Sequence, residues 1–489
     1  SPAVFGLPWL WACQGGGRAS QAGTNPAATL GPNTLPPLDE LSHLLRRSRF
    51  ALTAADLEAA QALGYEAYLE QQLQAPALTD PVYLESVARY PATQLPAAAT
   101  PALSLTIEEA TRQLAEYTVF LAAYSESQLY ELVVDFWTNH FNIENITGEL
   151  PLHKLYDDRD VIRRHAFGSF PEMLQASARS PAMMTYLNTV QNEAAGPNEN
   201  YARELMELHT LGVDGGYTEQ DVVEVARCFT GWAINGGTRE FEFQANRHDD
   251  GEKFVLGQVI PAGGGVTDGE TVLRILAEHP STARFISTKL ARRFVSDDPP
   301  ASLINRLAAE FTRTAGDIPS LLRLLFMSEE FRAAPDRKFR RPLEFVAHLL
   351  RNTRTDHLGF DGAVMLEALS RTGQIPHRWF PPDGYPDRAE YWLNTASLLG
   401  YWNLAAELVE NPDLLGRSAI SGVASTAADV EEMVQALATH FVQRPLRVED
   451  QQLLALLAET VFPDDVGPSD ARATLVAGLL VASPYFSLR

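Results

Sequence analysis

The chain has 489 residues and a formal net charge of −23, from 39 Lys and Arg against 62 Asp and Glu. Its 45% hydrophobic and 21% charged residues are ordinary globular proportions, and a chain this long buries enough surface to fold without covalent staples. The dispersed acidity excludes a nucleic-acid binder, which needs clustered Lys and Arg, and two cysteines exclude a disulfide framework or an all-Cys zinc site.

The first 37 residues suggest an address. Ala3 to Ala12 (AVFGLPWLWA) is an uncharged apolar run, too short to span a bilayer and of the length of a signal-peptide core. Leu10-Trp11-Ala12-Cys13 resembles a bacterial lipobox. On that reading residues 1–13 are the remnant of a lipoprotein signal peptide, Cys13 is lipidated, and 14–37 form a flexible tether to a helical body at 38–489. Membrane attachment would then run only through the lipid anchor, at the bacterial cell envelope. The alternative is a tail whose cysteine falls there by chance.

From Leu38 onward apolar residues recur at three and four, which predicts a mainly α, multi-helix domain, in one piece or two subdomains. A capping-box start at Thr53 opens a helix to about Leu73. Further helices are expected at about 106–124, 126–141, 157–178, 198–211, 218–232, 270–278, 281–296, 301–314 and 318–327. The C-terminal third continues at about 341–353, 361–371, 388–409, 427–441, 447–460 and 469–482. Gly236 to Val266 breaks the rule. Its period-two alternation and central Asp250-Gly251 suggest a small β-hairpin or loop excursion. Cys228 shares helical spacing with Val222, Val225 and Phe229, so it reads as a buried, inert thiol. The basic run Arg337–Arg341 (RKFRR) reads as a solvated helix start or a partner of acidic faces.

The densest polar patterning lies between Tyr130 and Asp250. Leu129, Leu132, Val133, Phe136 and Trp137 form one helical stripe with His140 near its centre, so His140 points inward. There it is either a core histidine bonded to a carbonyl or a ligand or general base in a dry pocket. In NENYARELMELHTLG (198–212), Tyr201, Leu205, Leu208 and Gly212 define a buried face, with Glu204 and Glu207 to one side. Glu204 and His209 diverge by about 140° on an α-helical wheel, so this is not a HExxH zinc helix. A divalent metal site would have to combine these carboxylates with His140, or with His248 and Asp249 on the excursion. Arg203 is the candidate anchor for an anionic substrate group, though Arg203 and Glu207 also have the spacing of a solvated surface pair. The glycine turn and the acidic helix after it do not suit DNA-groove recognition. Trp379–Pro386 (WFPPDGYP) reads as a lid, a carbohydrate-stacking platform or a packed surface loop. No P-loop, GxGxxG, G-x-S-x-G or CxxC pattern occurs.

FWTNHF (136–141), RRHAFGSF (163–170), SPAMMTYLN (180–188), the 198–232 block, HDDGEKFVLG (248–257) and HPSTARFISTKLARRFVSDDPP (279–300) together resemble one bacterial family, domain of unknown function 1800. The resemblance runs from about Leu38 to the C-terminus. It implies export, and a partner in a second exported family related to alkaline phosphatases; it implies no particular reaction. Position by position, the family's polar signature falls on His140, His165, Asn198, Asn200, Arg203, Glu204, Glu207, His248 and Asp249. Three readings follow. The first is an exported enzyme, a metal-dependent hydrolase or oxidoreductase, with Glu204, Glu207 and Arg203 in catalysis and His140, His248 and Asp249 on the metal. The second is a non-catalytic envelope scaffold for a protein or polysaccharide. The third is a cofactor-binding helical protein with His140 or His165 as axial ligand.

Overall fold

Helix starts in this chain are set by short polar side chains. Thr53, Thr106 and Thr218 each accept a hydrogen bond from the amide three residues on, and Asp56, Glu109 and Asp221 return it to the cap amide, which satisfies donors that a helix N-terminus leaves bare. The computed structural model describes residues 35–74, 80–96, 106–145, 147–353, 357, 359–410, 417–465 and 467–489. Cys13 and the apolar run before it lie outside the described residues. Within them the chain is mainly α-helical, and its four strands are all short. None of the described helices is long and apolar enough to cross a membrane. Buried apolar side chains from Leu44 to Phe486 form one connected cluster.

Three expected helices end early or change pitch. The 157–178 stretch is divided: Leu150–Asp157 runs into a π turn at Asp158–Arg163, and a new helix begins at Phe170–Ala178. The break sits at Gly168–Ser169, where Phe170 N donates to Gly316 O at 2.9 Å and Ile318 N to Gly168 O at 3.0 Å. Backbone bonds to a neighbouring loop replace intrahelical ones there. The 198–211 stretch is α only at Asn200–Glu204 and becomes a π turn at Leu205–Thr210. The 218–232 stretch stops at Cys228, and Gly231, at φ +79°, redirects the chain into a strand.

The β excursion is two hairpins rather than one. Strand β1 (Trp232–Ile234) pairs antiparallel with β2 (Phe241–Phe243), and β3 (Lys253–Val255) with β4 (Gln258–Ile260). Asp250-Gly251 lies between the hairpins instead of forming a turn. The tight turn is Leu256-Gly257, with φ +48° and +77°, the double left-handed geometry that matches strand twist in two-residue hairpins.

Of the basic run at 337–341 only Arg337 is exposed, and Lys338 and Arg341 partner acidic groups rather than solvent. Lys338, Arg340 and Arg341 are buried. Arg341 pairs with Asp135 and lies 3.4 Å from Asp387, Arg293 pairs with Glu344, and Arg489 reaches Glu344 at 2.8 Å. Arg46, Arg47 and Arg340 spend their guanidinium protons on backbone carbonyls at the ends of neighbouring elements, including Val442, Ala334 and Phe486. An ionic layer thus ties Glu40–Ser48, Gln128–His140, Pro280–Phe294, Pro342–Thr353 and the last residues together.

Candidate functional site

Gln128–His140 buries polar groups on two faces. On one, Trp137 and His140 are buried at 0% and 1% exposure, as the apolar stripe predicted. His140 Nε2 lies 3.0 Å from His209 O. A carbonyl only accepts, so Nε2 carries the proton and Nδ1 presents a lone pair. Lys289 Nζ, from Pro280–Phe294, donates to that lone pair at 3.0 Å. Burial, aided by the Lys289 charge, holds His140 well below the usual histidine range, so it stays neutral. Burial also pushes Lys289 down to about 8. Lys289 is partly exposed, sits over the Phe285 ring at 5.5 Å, and has no carboxylate within ion-pair distance among the described residues.

The π turn at Leu205–Thr210 alters the expected face of its helix. Bonding from i to i+5 widens the turn, visible as Leu211 N to Met206 O at 2.9 Å. Met206, His209 and Thr210 therefore become buried, while Leu208, placed by α-helical geometry in the core, is only half-buried. Glu204 and Glu207 remain half-buried, and among the described residues neither accepts a hydrogen bond nor makes an ion pair. Burial first, and the neighbouring Glu207 second, push the Glu204 carboxyl above its ordinary value. Arg203 offsets part of that rise but makes its ion pairs elsewhere. It lies 3.1 Å from Glu199 and 2.8 Å from Glu219, which fastens Asn200–Glu204 to the next helix and leaves no free face for an anionic substrate.

The two halves meet under the segment after Gly373. Asn142 Nδ2 donates to Trp379 O and Pro381 O at 2.9 and 2.7 Å. Tyr385 N donates to Asn139 Oδ1 at 3.0 Å, and Tyr186 OH to Phe380 O at 2.6 Å. Gly384, at φ +75°, lies so close to the Asn139 carbonyl that a Cβ would overlap it. The WFPPDGYP segment is therefore a packed cover over the end of Gln128–His140. Its Asp383, held by Trp379 Nε1 at 2.8 Å, is near enough to perturb Glu204, Tyr186 and Lys289 alike.

His248 and Asp249 belong elsewhere. His248 Nδ1 lies 2.8 Å from Thr230 O, and its Nε2 lies 3.3 Å from Asp268 Oδ2, which Lys253 also holds at 2.5 Å. Asp249 accepts from Arg227 at 2.8 Å. The expected metal set of His140, His248 and Asp249 is not assembled, because every one of these groups is already bonded within its own cluster. Among the described residues no three His, Cys, Asp or Glu side chains are grouped to hold a metal ion. His165 bonds Val161 O at 2.8 Å beside a shallow surface groove. Cys228 is fully buried, and burial pushes its thiol up to about 12, so it is inert. Sequence reasoning missed Lys289 and the Asp135–Arg341–Glu344 layer. Lys289 is one of several basic residues of Pro280–Phe294, and nothing in its spacing distinguishes it from Arg284, Arg292 or Arg293.

No curated protein and no solved structure matches the chain. The family model described as Protein of unknown function (DUF1800) matches residues 43–488. Nearly the whole described fold, including His140, Glu204, Glu207 and Lys289, lies inside that match, and the chain belongs to this family.

Proposed function

We propose that this chain is an exported bacterial envelope enzyme that works by proton transfer at a site formed by Glu204, Glu207, Lys289 and His140. The observation that carries the reading is an unpaired set of opposite charges. Among the described residues Lys289 makes no ion pair with a carboxylate and Glu204 and Glu207 make none with a cation, although one loop, through Asp383, lies close to both Glu204 and Lys289. Structural charges at partly buried positions are ordinarily paired; groups left free and shifted are the pattern of acid–base sites. Glu204, whose carboxyl is held above its ordinary value by burial, acts as the acid. Lys289, oriented by neutral His140, acts as the base or nucleophile. The carboxylates at the rim favour a neutral or cationic substrate over an anionic one. A metal-dependent version would have to recruit Glu204 and Glu207 without His140, whose two nitrogens are engaged.

The test incubates wild-type protein, Glu204→Gln and Lys289→Met with extracts of bacterial envelope polysaccharide and small metabolites, followed by mass spectrometry. Conversions made by wild type and lost in both folded variants are expected. Conversions that survive in both variants, or none by wild type with or without added divalent metals, overturn the reading.

A further inference from the structure

On the opposite side of Gln128–His140 from His140 lies a cavity of about 20 Å³, walled by Glu131, Asp135, Thr138, Asp158, Arg163 and His377. That volume matches about one water-sized occupant. Among the described residues, two buried atoms on the residues lining it have no hydrogen-bond partner: Arg163 Nη2 and His377 Nδ1.

Their chemistry is complementary. Thr118 Oγ1 donates its single proton to Leu114 O at 2.9 Å, so it can only accept from His377 Nε2, also 2.9 Å away. Nε2 therefore carries the imidazole proton, and Nδ1 presents a lone pair that requires a donor. Arg163 has already committed Nη1 to Glu131 at 3.0 Å and Nε to Asp158 at 2.8 Å, so Nη2 requires an acceptor. The backbone adds a third, independent sign. His377 sits at φ +62°, a left-handed conformation that a histidine keeps only when its surroundings hold it there. Asn145 N, donating to His377 O at 3.0 Å, is one such hold. Buried polar atoms are nearly always satisfied by protein or by an ordered small molecule.

We propose that this cavity is a binding site for one small neutral oxygen ligand, water or the hydroxyl of a small alcohol, which accepts from Arg163 Nη2 and donates to His377 Nδ1. A cation would face the Arg163 guanidinium, and an anion would face Glu131 and Asp158. Only a neutral O–H group suits both walls. Because Gln374, Pro376 and Tyr385 also line the cavity, its occupant joins the covering loop to the Asp158–Arg163 π turn. The site is independent of chemistry at Glu204 and Lys289.

The test is a high-resolution crystal structure of the full chain, with a second crystal soaked in rubidium bromide. An ordered oxygen at about 2.7–3.2 Å from both atoms, with no anomalous peak from either soaked ion, is expected. Arg163→Lys should lose that density and speed amide exchange across 373–386. An empty cavity, a direct Arg163–His377 bond, or a rubidium or bromide peak overturns the proposal, and the wild-type crystals decide this even if the variant does not fold.

Discussion

Glu204 carries a half-buried carboxylate that makes no ion pair among the described residues, and burial outweighs the partial offset by Arg203, so the native protein holds its proton more tightly than the unfolded chain does. A native state that binds more protons loses stability as pH rises through that window. At pH 7 the ionised group is therefore a net cost. Glu204→Gln is expected to raise stability by about 0.5 kcal/mol, a figure reduced for solvent screening of a partly exposed group. The gain should shrink as pH falls toward the carboxyl's own range. Urea midpoints of both proteins at pH 7 and pH 5.5 check both parts. A large loss of stability at pH 7 would instead indicate a structural hydrogen-bonding role, as a scaffold protein requires. Arg203 illustrates the reverse case at the same helix: its charge looked available for a substrate in the sequence, but Glu199 and Glu219 occupy it.

Between elements, burial separates ion pairs that matter from those that do not. Glu344 is fully buried and receives Arg293, Arg341 and Arg489 from three parts of the chain, which hold its carboxyl well below the ordinary range. Removing its charge leaves guanidinium groups stranded in the interior, so Glu344→Gln is expected to cost about 3–5 kcal/mol. Arg203→Ala breaks a surface bridge between two helices and should cost at most about 1 kcal/mol. Chemical unfolding of the two variants side by side measures the contrast. The π turns at Asp158–Arg163 and Leu205–Thr210 belong to this scale too. Each supplies groups to one side of Gln128–His140: Arg163 to the small cavity, and the His209 carbonyl to His140. Wheel geometry based on 3.6 residues per turn placed Leu208 inward, since i to i+5 bonding has no clear signature in residue type.

For the whole molecule, the decisive titratable groups are buried histidines. His43, His209 and His377 are pushed down to about 3, and His140 and His348 well below the usual range, chiefly by burial. Below pH 6.5 the unfolded chain takes up these protons while the native state refuses them, so stability present above that pH is lost as it falls. Each such histidine contributes up to about 1.4 kcal/mol per pH unit. Cooperative acid unfolding near pH 5, with uptake of about five protons from these histidines alone, is therefore expected. The pH dependence of urea midpoints between pH 7 and pH 5 measures it, and a flat profile there would contradict the neutral interior.

What the sequence determined by itself is what local chemistry controls. Periodicity at three and four set the helical class, threonines with acids three residues on set helix starts, and the stripe around Trp137 turned His140 inward. These depend on neighbours a few residues away, so one chain read linearly contains them. Only the tertiary structure decided what His140 meets, because Lys289 lies 149 residues away. It likewise separated His248 and Asp249 from that site, and turned RKFRR from a surface run into part of an internal ionic layer. Charges look alike in a sequence whether solvated, paired or free. Their role is set by burial and by long-range partners, which exist only once the chain has closed on itself.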